Sequence, residues 1–460
     1  MTLLEILIIF FAIIGTYAAL VYILHKKKIL QKYDISFYGP MLMWRTTKGR
    51  DFLRRIAQKK RFWAWFGNFG IILCFVFMIV MVVLLIMQAW SILGYTPEQI
   101  AQLPGPEVAL VIPGLNPILP LEYLGYIILA LVIAMVVHEF SHGILTYASN
   151  LKVKALGILY LILPLGAFCE PDEEDLQKTK PGNRMRIFAA GPTMNFLVVL
   201  ISIFLLSVVC MSSVQPAASD GVCVLSVSDD TPAATIGITK GMIITSINDT
   251  TITNTTDFVY IMDQTHTNQT VNISYVKGVS HYNGTITLSD KYQEYAKRGY
   301  PNNESFRDKG YIGIGPSVMH KGFLKVLKNP FVEFPNGFLL FYVLPLFGYF
   351  QGYNPISAPF TDSYIVTGVL GAIPLNLFWM IVNALYWIFW LNFAVAVFNV
   401  LPAVPLDGGY LFKDAVYESV RRIKRNATEE KRQKIVKNVS LAISLVILFL
   451  IIFPWLIKYV

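Results

Sequence analysis

The stretch "MVVHEFSHGI", Met135–Ile144, lies inside an apolar run that begins near Leu124 and, apart from the stretch itself, carries no charge until Lys152. A run of that length suits a helix crossing lipid, because about 20 apolar residues span the hydrocarbon core of a bilayer. Two histidines and a glutamate inside it are costly to bury, so they mark a site rather than filler.

The composition extends this reading to the whole chain. With 460 residues, 55% of them hydrophobic and 15% charged, and a mean hydropathy of +0.54, the protein holds more apolar surface than a water-soluble fold can bury. Runs near 3–24, 71–93, 124–149, 187–213, 374–402 and 436–458 are each long enough to cross, which predicts about six spans. The first opens "MTLLEILIIF", with an acidic residue and no basic segment before the apolar run, so it is expected to stay as an anchor rather than to be cleaved.

Basic loops set the expected orientation. Twelve Lys and Arg lie between His25 and Trp65, six lie in 150–186 and nine in 408–437, whereas 94–121 has none. These three basic loops are therefore predicted to face the cytoplasm, with both termini and the region 214–373 outside. The net charge of +9 then belongs to the membrane surface, and with no basic patch interleaved with aromatics, nucleic acid is excluded as a partner. Glycosylation triplets at Asn248, Asn254, Asn268, Asn272, Asn283 and Asn303 cluster in the outer region, although Thr-rich loops also produce them by chance. Cys74, Cys169, Cys210 and Cys223 lack CxxC spacing, so neither a disulfide framework nor a thiolate metal site is indicated. Dense triplets with few cysteines lean towards an archaeal membrane.

The chemistry sits in HEFSH. On a helix His138 and His142 are four residues apart and share one face, so both imidazoles reach one tetrahedral zinc. Glu139 projects beside them, placed to take a proton from a water at that metal. A lone histidine in a span is more often a packing or relay residue, but three such groups in five residues, in a chain with six histidines, favour a metal site. A third ligand is needed to leave one position open. The segment "NVLPAVPLDGGYLF", Asn399–Phe412, offers Asp407 on the same side of the membrane, where Pro402 and Pro405 break the helix and require a protein-lined or wet surrounding. The residues alone leave Asp407 open as a ligand or as a helix cap tolerated by Gly408 and Gly409.

Together with "RIFAAGPTMNF", Arg186–Phe196, the two motifs resemble the site-2 protease family of intramembrane zinc metalloproteases: HEFSH matches its HExxH, "AAGPTMN" its Ala-Gly-Pro-x-x-Asn segment, and "NVLPAVPLDGG" its Leu-Asp-Gly motif. The resemblance covers about 120–215 and 374–415. It implies one zinc held by His138, His142 and Asp407, with Glu139 as general base, acting on membrane proteins with a transmembrane helix. Asn195 and Asn399, near the metal-bearing ends of their spans, are candidates to bind substrate backbone or the oxyanion, against a plain role in helix packing. The family also suggests that "ALGILYLILPLGAF", Ala155–Phe168, is a re-entrant hairpin whose edge strand pairs an unwound substrate.

Within the outer region, "GVCVLSV", "DDTPAATIGITKGMIITSINDTTI", "TVNISYV" and "YIGIG" look like a PDZ domain. The usual glycine-rich carboxylate loop is missing, since "SDGVCV" supplies only Gly221, so a gate or spacer role is favoured over capture of peptide C-termini. The fold class expected is a polytopic α-helical membrane protein with an extracytoplasmic, β-rich PDZ-like domain between the fourth and fifth spans. Its parts are 1–120 (two N-terminal spans and a basic loop), 121–216 (core with HExxH), 217–316 (PDZ-like), 317–373 (outer membrane-surface segment), 374–415 (core with the Leu-Asp-Gly motif) and 416–460 (basic segment and last span). The function expected is intramembrane proteolysis. The alternatives are a metal or proton transporter or sensor, for which the second half shows no repeat of the HEFSH half, and an inactive scaffold, for which no ligand or base is substituted.

Overall fold

A computed structural model describes residues 3–38, 41–109, 112–160, 164–301 and 303–459. The chain forms two compact units, Met1–Pro106 with Ile128–Val199 and Leu391–Val460, and Glu107–Ile127 with Leu200–Trp390. Among the described residues five helices are long and apolar enough to cross a membrane: Lys60–Ile92, Leu121–Ala148, Pro181–Ser213, Leu375–Asn399 and Glu429–Tyr459. The expected first span is also helical, α1 (Leu3–Lys26). The protein is a multi-pass membrane protein by these elements.

In the first unit α2 (Lys60–Ile92) begins well before residue 71, where hydropathy alone starts the span, because Trp63 and Phe66 are buried with Leu145 and Ile187. That packing extends the helix through a stretch too polar to look membrane-spanning. α3 (Leu124–Ala148) carries HEFSH, and α4 (Pro181–Ile203) carries Ala-Gly-Pro. Close approach of α2 to α4 needs Gly70, where a Cβ would sit 2.4 Å from Thr193 Oγ1. Small residues are the usual device for such approaches in lipid, where lipid tails remove the hydrophobic drive between helices. α5 (Leu375–Asn399) ends before the proline-interrupted loop, α6 (Asp407–Ile423) follows, and α7 (Glu429–Tyr459) packs on both α2 and α6.

The same unit holds a four-stranded antiparallel sheet, β1 (Ile35–Tyr38), β2 (Met41–Thr46), β3 (Val153–Tyr160) and β4 (Pro164–Pro171), in that order. β3 and β4 form the hairpin anticipated from the sequence, whose tip at 161–163 lies outside the described residues. The basic segment after α1, expected only as a loop, contributes two strands. Trp44 pairs with Ile158, and Arg45 reaches Glu170 at 3.2 Å. β1 and β2 therefore cover the β3 edge, and among the described residues β4 pairs with β3 alone.

The second unit contains the β-rich insert. Its strands β5 (Val222–Val227), β6 (Ile243–Ile247), β7 (Thr270–Lys277), β8 (Ser280–Thr287) and β9 (Ile314–Ser317) run antiparallel in the order β8-β7-β6-β5-β9. Alternation puts Val271, Ile273 and Ile286 into a core with Val222, Val224, Ile244 and Ile247, and the helix Thr255–Asp263 adds Phe258 and Met262. Asn254 caps that helix by accepting from the Asp257 amide at 3.0 Å. Beyond β9, the helix Met319–Lys328 buries His320, Phe323, Leu324 and Leu327 and carries Lys321, Lys325 and Lys328 on its other side.

Candidate metal centre

Helical spacing brings the HEFSH imidazoles together as the sequence predicts, with ring centroids 4.8 Å apart. Both are buried, 7% and 8% exposed, at a depth where an unsatisfied nitrogen is expensive. Ser141 and Thr146 use their hydroxyls locally, donating to the carbonyls of His138 and His142, so they compete for neither ring. His142 Nδ1 lies 2.7 Å from the Ile187 carbonyl, which fixes the ring and leaves Nε2 with its lone pair inward. Ligand atoms of His138, Glu139 and His142 lie within 4.8 Å of one another.

Asp407 arrives from a distant part of the chain. It is the first residue of α6, whose cap position is held by Leu406, so its carboxylate does not serve as the cap. Its Oδ2 is instead 3.0 Å from His138 Nε2 and 3.2 Å from His142 Nε2. Neither approach has the geometry of a hydrogen bond, and this buried oxygen has no other partner. Three lone-pair atoms converging on one point without bonding each other are what a small cation would satisfy, and two nitrogens with one oxygen suit zinc with one position left open.

Two features of the surround have no assigned role in the sequence reading. Gly191 lies so close to both rings that a Cβ there would be 2.5 Å from His138 Nε2 and 2.6 Å from His142 Nε2. Its motif is visible in sequence, but its reason is not. Glu139 is held by β4: its Oε2 accepts from the Cys169 amide at 2.8 Å. A backbone donor leaves no residue signature, so no sequence pattern reveals it. Burial, with Glu139 beside it, pushes the Cys169 thiol up, which keeps it neutral and unsuited to act as a thiolate ligand.

The two asparagines differ. Asn195 is fully buried on α4, one turn beyond Gly191, and neither end of its amide has a hydrogen-bond partner. Asn399 donates from Nδ2 to the Val395 carbonyl at 3.1 Å, within its own helix.

The chain matches the model of peptidase family M50 over residues 126–447. It belongs to peptidase family M50, the site-2 protease family. Members are membrane metalloproteases, and the match takes in His138, His142 and Asp407 together. An uncharacterised protein of Methanocaldococcus jannaschii is 28% identical over 290 residues, which are 62% of this chain and 55% of that one, so the match spans about half the length of this curated relative. The PDZ domain of an SdrC-like protein from Listeria monocytogenes is 27% identical over 22% of this M50 chain and 90% of that domain, with a TM-score of 0.18. That of an SdrC-like protein from Listeria innocua is 28% identical over 21% and 93%, with a TM-score of 0.17.

Proposed function

We propose that this M50 protein is an intramembrane zinc metalloendopeptidase that hydrolyses peptide bonds in or near transmembrane segments of other membrane proteins, in the manner of regulated intramembrane proteolysis. The observation that carries this reading is the unpartnered Asp407 Oδ2 standing 3.0 and 3.2 Å from two imidazole nitrogens. His138, His142 and Asp407 would hold the ion. Bound there, zinc would supply Lewis acidity, polarising a carbonyl and acidifying a water.

The remaining chemistry belongs to the chain. Glu139, with Oε2 anchored by the Cys169 amide, keeps its other carboxylate oxygen to take a proton from the attacking water and pass it to the leaving amine. Asn195, buried and unsatisfied one turn from Gly191, is the candidate donor to the substrate carbonyl or the developing oxyanion, and the bound amide of Asn399 makes it the weaker candidate. The single-sided pairing of β4 supports binding an unwound substrate strand along its free edge, where freed backbone groups find partners. The basic loops favour a cytoplasmic position for this sheet and the metal-bearing helix ends, with the termini and the PDZ-like domain, about 217–316, outside.

The test needs no known substrate. Metal content of detergent-purified protein is compared with that of His138→Ala and Asp407→Ala. About one zinc in the wild type, lost or weakened in both variants, supports a single site built from both motifs. A wild type that takes up no zinc after reconstitution sinks the protease reading.

A further inference from the structure

The proline-interrupted loop before α6 leaves a mechanical problem. Asp407 follows Pro402 and Pro405, so no continuous helix carries its position from α5, yet metal ligands must be held to within about 0.2 Å. Something else must fix α6 against α3, which carries both imidazoles, and α4, whose Ile187 carbonyl holds one of them.

Side-chain pairs between α4 and α6 supply that fixture. Arg184 donates from Nη2 to Asp414 Oδ1 at 2.6 Å and from Nε to Oδ2 at 3.0 Å, a two-pronged pair that is 19% and 8% exposed. One turn on, Phe188 stacks on Tyr410 with centroids 5.0 Å apart and planes 19° from parallel. The next step, three residues further along α4 and three back along α6, reaches Gly191 and Asp407, which meet the same two imidazole nitrogens. Steps of four and then three on one helix are matched by four and then three on the other. The two helices thus run antiparallel along one seam, and the ion pair lies seven residues, or about 10 Å at 1.5 Å per residue, from the metal site.

We propose that Arg184 and Asp414 are positioning residues that set the depth and rotation of Asp407 against His138 and His142; this rests on the metal site proposed above. The fork geometry suits the task, since two parallel hydrogen bonds fix rotation as well as distance, and a point charge fixes neither. The remaining guanidinium nitrogen, Nη1, donates to the carbonyls of Gln177 and Thr179 at 3.1 and 3.2 Å. That fastens the segment following β4, whose Cys169 amide holds Glu139. One side chain therefore ties down the helix bearing the carboxylate ligand and the segment next to the strand whose amide holds the base.

The experiment measures zinc affinity by chelator competition, together with the rise in melting temperature that zinc produces, for full-length wild type, Arg184→Lys, Arg184→Ala and Asp414→Asn. The absorption of the cobalt-substituted proteins reports ligand geometry. Loss of the fork is expected to weaken zinc binding about 10- to 100-fold, as changes behind metal ligands do, with a smaller loss for Arg184→Lys and an altered cobalt spectrum. A purely structural pair would lower the metal-free melting temperature but leave the zinc-induced rise and the cobalt spectrum unchanged, and that result overturns the proposal. If Arg184→Ala fails to fold, Arg184→Lys and Asp414→Asn decide on the same readouts. A wild type that binds no zinc or cobalt would instead overturn the metal reading, and this inference with it.

Discussion

Glu139 lies one position from His138 and three from His142, and it differs from both in task. His138 and His142 point their Nε2 atoms at Asp407, whereas Glu139 Oε2 is occupied by a backbone amide. Glu139→Gln keeps the shape and the Cys169 contact but removes the proton acceptor. Zinc content is expected to match wild type, while cleavage of a transmembrane reporter falls by about 10² to 10⁴, the range usual for a lost general base. Turnover near the wild-type rate would refute the assignment. A second residue-scale expectation concerns His320, fully buried, with neither ring nitrogen bonded. Burial, reinforced by Lys321, lowers its value from 6.5 to about 4. The unfolded chain therefore binds the proton more readily than the folded one, so stability is full above pH 6.5 and declines as pH falls towards 4. The span of that shift corresponds to about 3 kcal/mol at 1.36 kcal/mol per pH unit. Hydrogen-exchange protection of the helix Met319–Lys328, followed from pH 7 to 4.5, should drop more in wild type than in His320→Phe. Parallel curves would show that His320 does not titrate in this way.

At the scale of elements, β4 links the sheet to the reacting groups through a single main-chain donor. Because the Cys169 N–H points to Glu139 and not to β3, proline at 169 removes that donor without removing a rung of the β3–β4 ladder. Cys169→Ser keeps the donor and should retain activity and metal. Cys169→Pro should keep metal but lose at least about tenfold in turnover, since the base is no longer oriented. Equal rates in the two variants would mean that Glu139 positions itself. The helices and the HEFSH cluster were legible because hydropathy and HExxH spacing are local patterns. The β3–β4 hairpin was implied by the family resemblance and not by a periodicity of its own. The joining of β1 and β2 to it was not legible, as strands separated by more than a hundred residues share no periodicity that reveals their pairing. Arg184 and Asp414, 230 positions apart, were invisible for the same reason. Gly191 lay between these cases: its motif stood out, but only the geometry shows that a methyl group there would collide with both imidazoles.

For the whole molecule, the division of labour follows from where the site residues lie in the chain. His138, Glu139, His142, Asn195, Asn399 and Asp407 all belong to the first unit, whereas the β-rich insert belongs to the second and has a core of its own. The insert also begins and ends on neighbouring strands. Cys223 of β5 pairs with Ser317 of β9, so the chain enters and leaves the domain at points a few ångströms apart. A short glycine linker can therefore replace 221–316 without stretching the chain on either side, and Val214–Pro216, before the insert, keeps its own pairing with Tyr364–Val366. The deleted protein is expected to bind zinc with wild-type affinity and to cleave a minimal transmembrane peptide at a similar rate. Its ranking of substrates should change most for those with a bulky outer domain, if the insert restricts access. Loss of zinc on deletion would instead make the β-rich domain part of the scaffold that holds the metal ligands. Retained zinc with an unchanged substrate ranking would remove any role for it in selection. Metal affinity measured beside a competition between a short and a long substrate separates these outcomes in one preparation, because the first reads the HEFSH and Leu-Asp-Gly core and the second reads what reaches it.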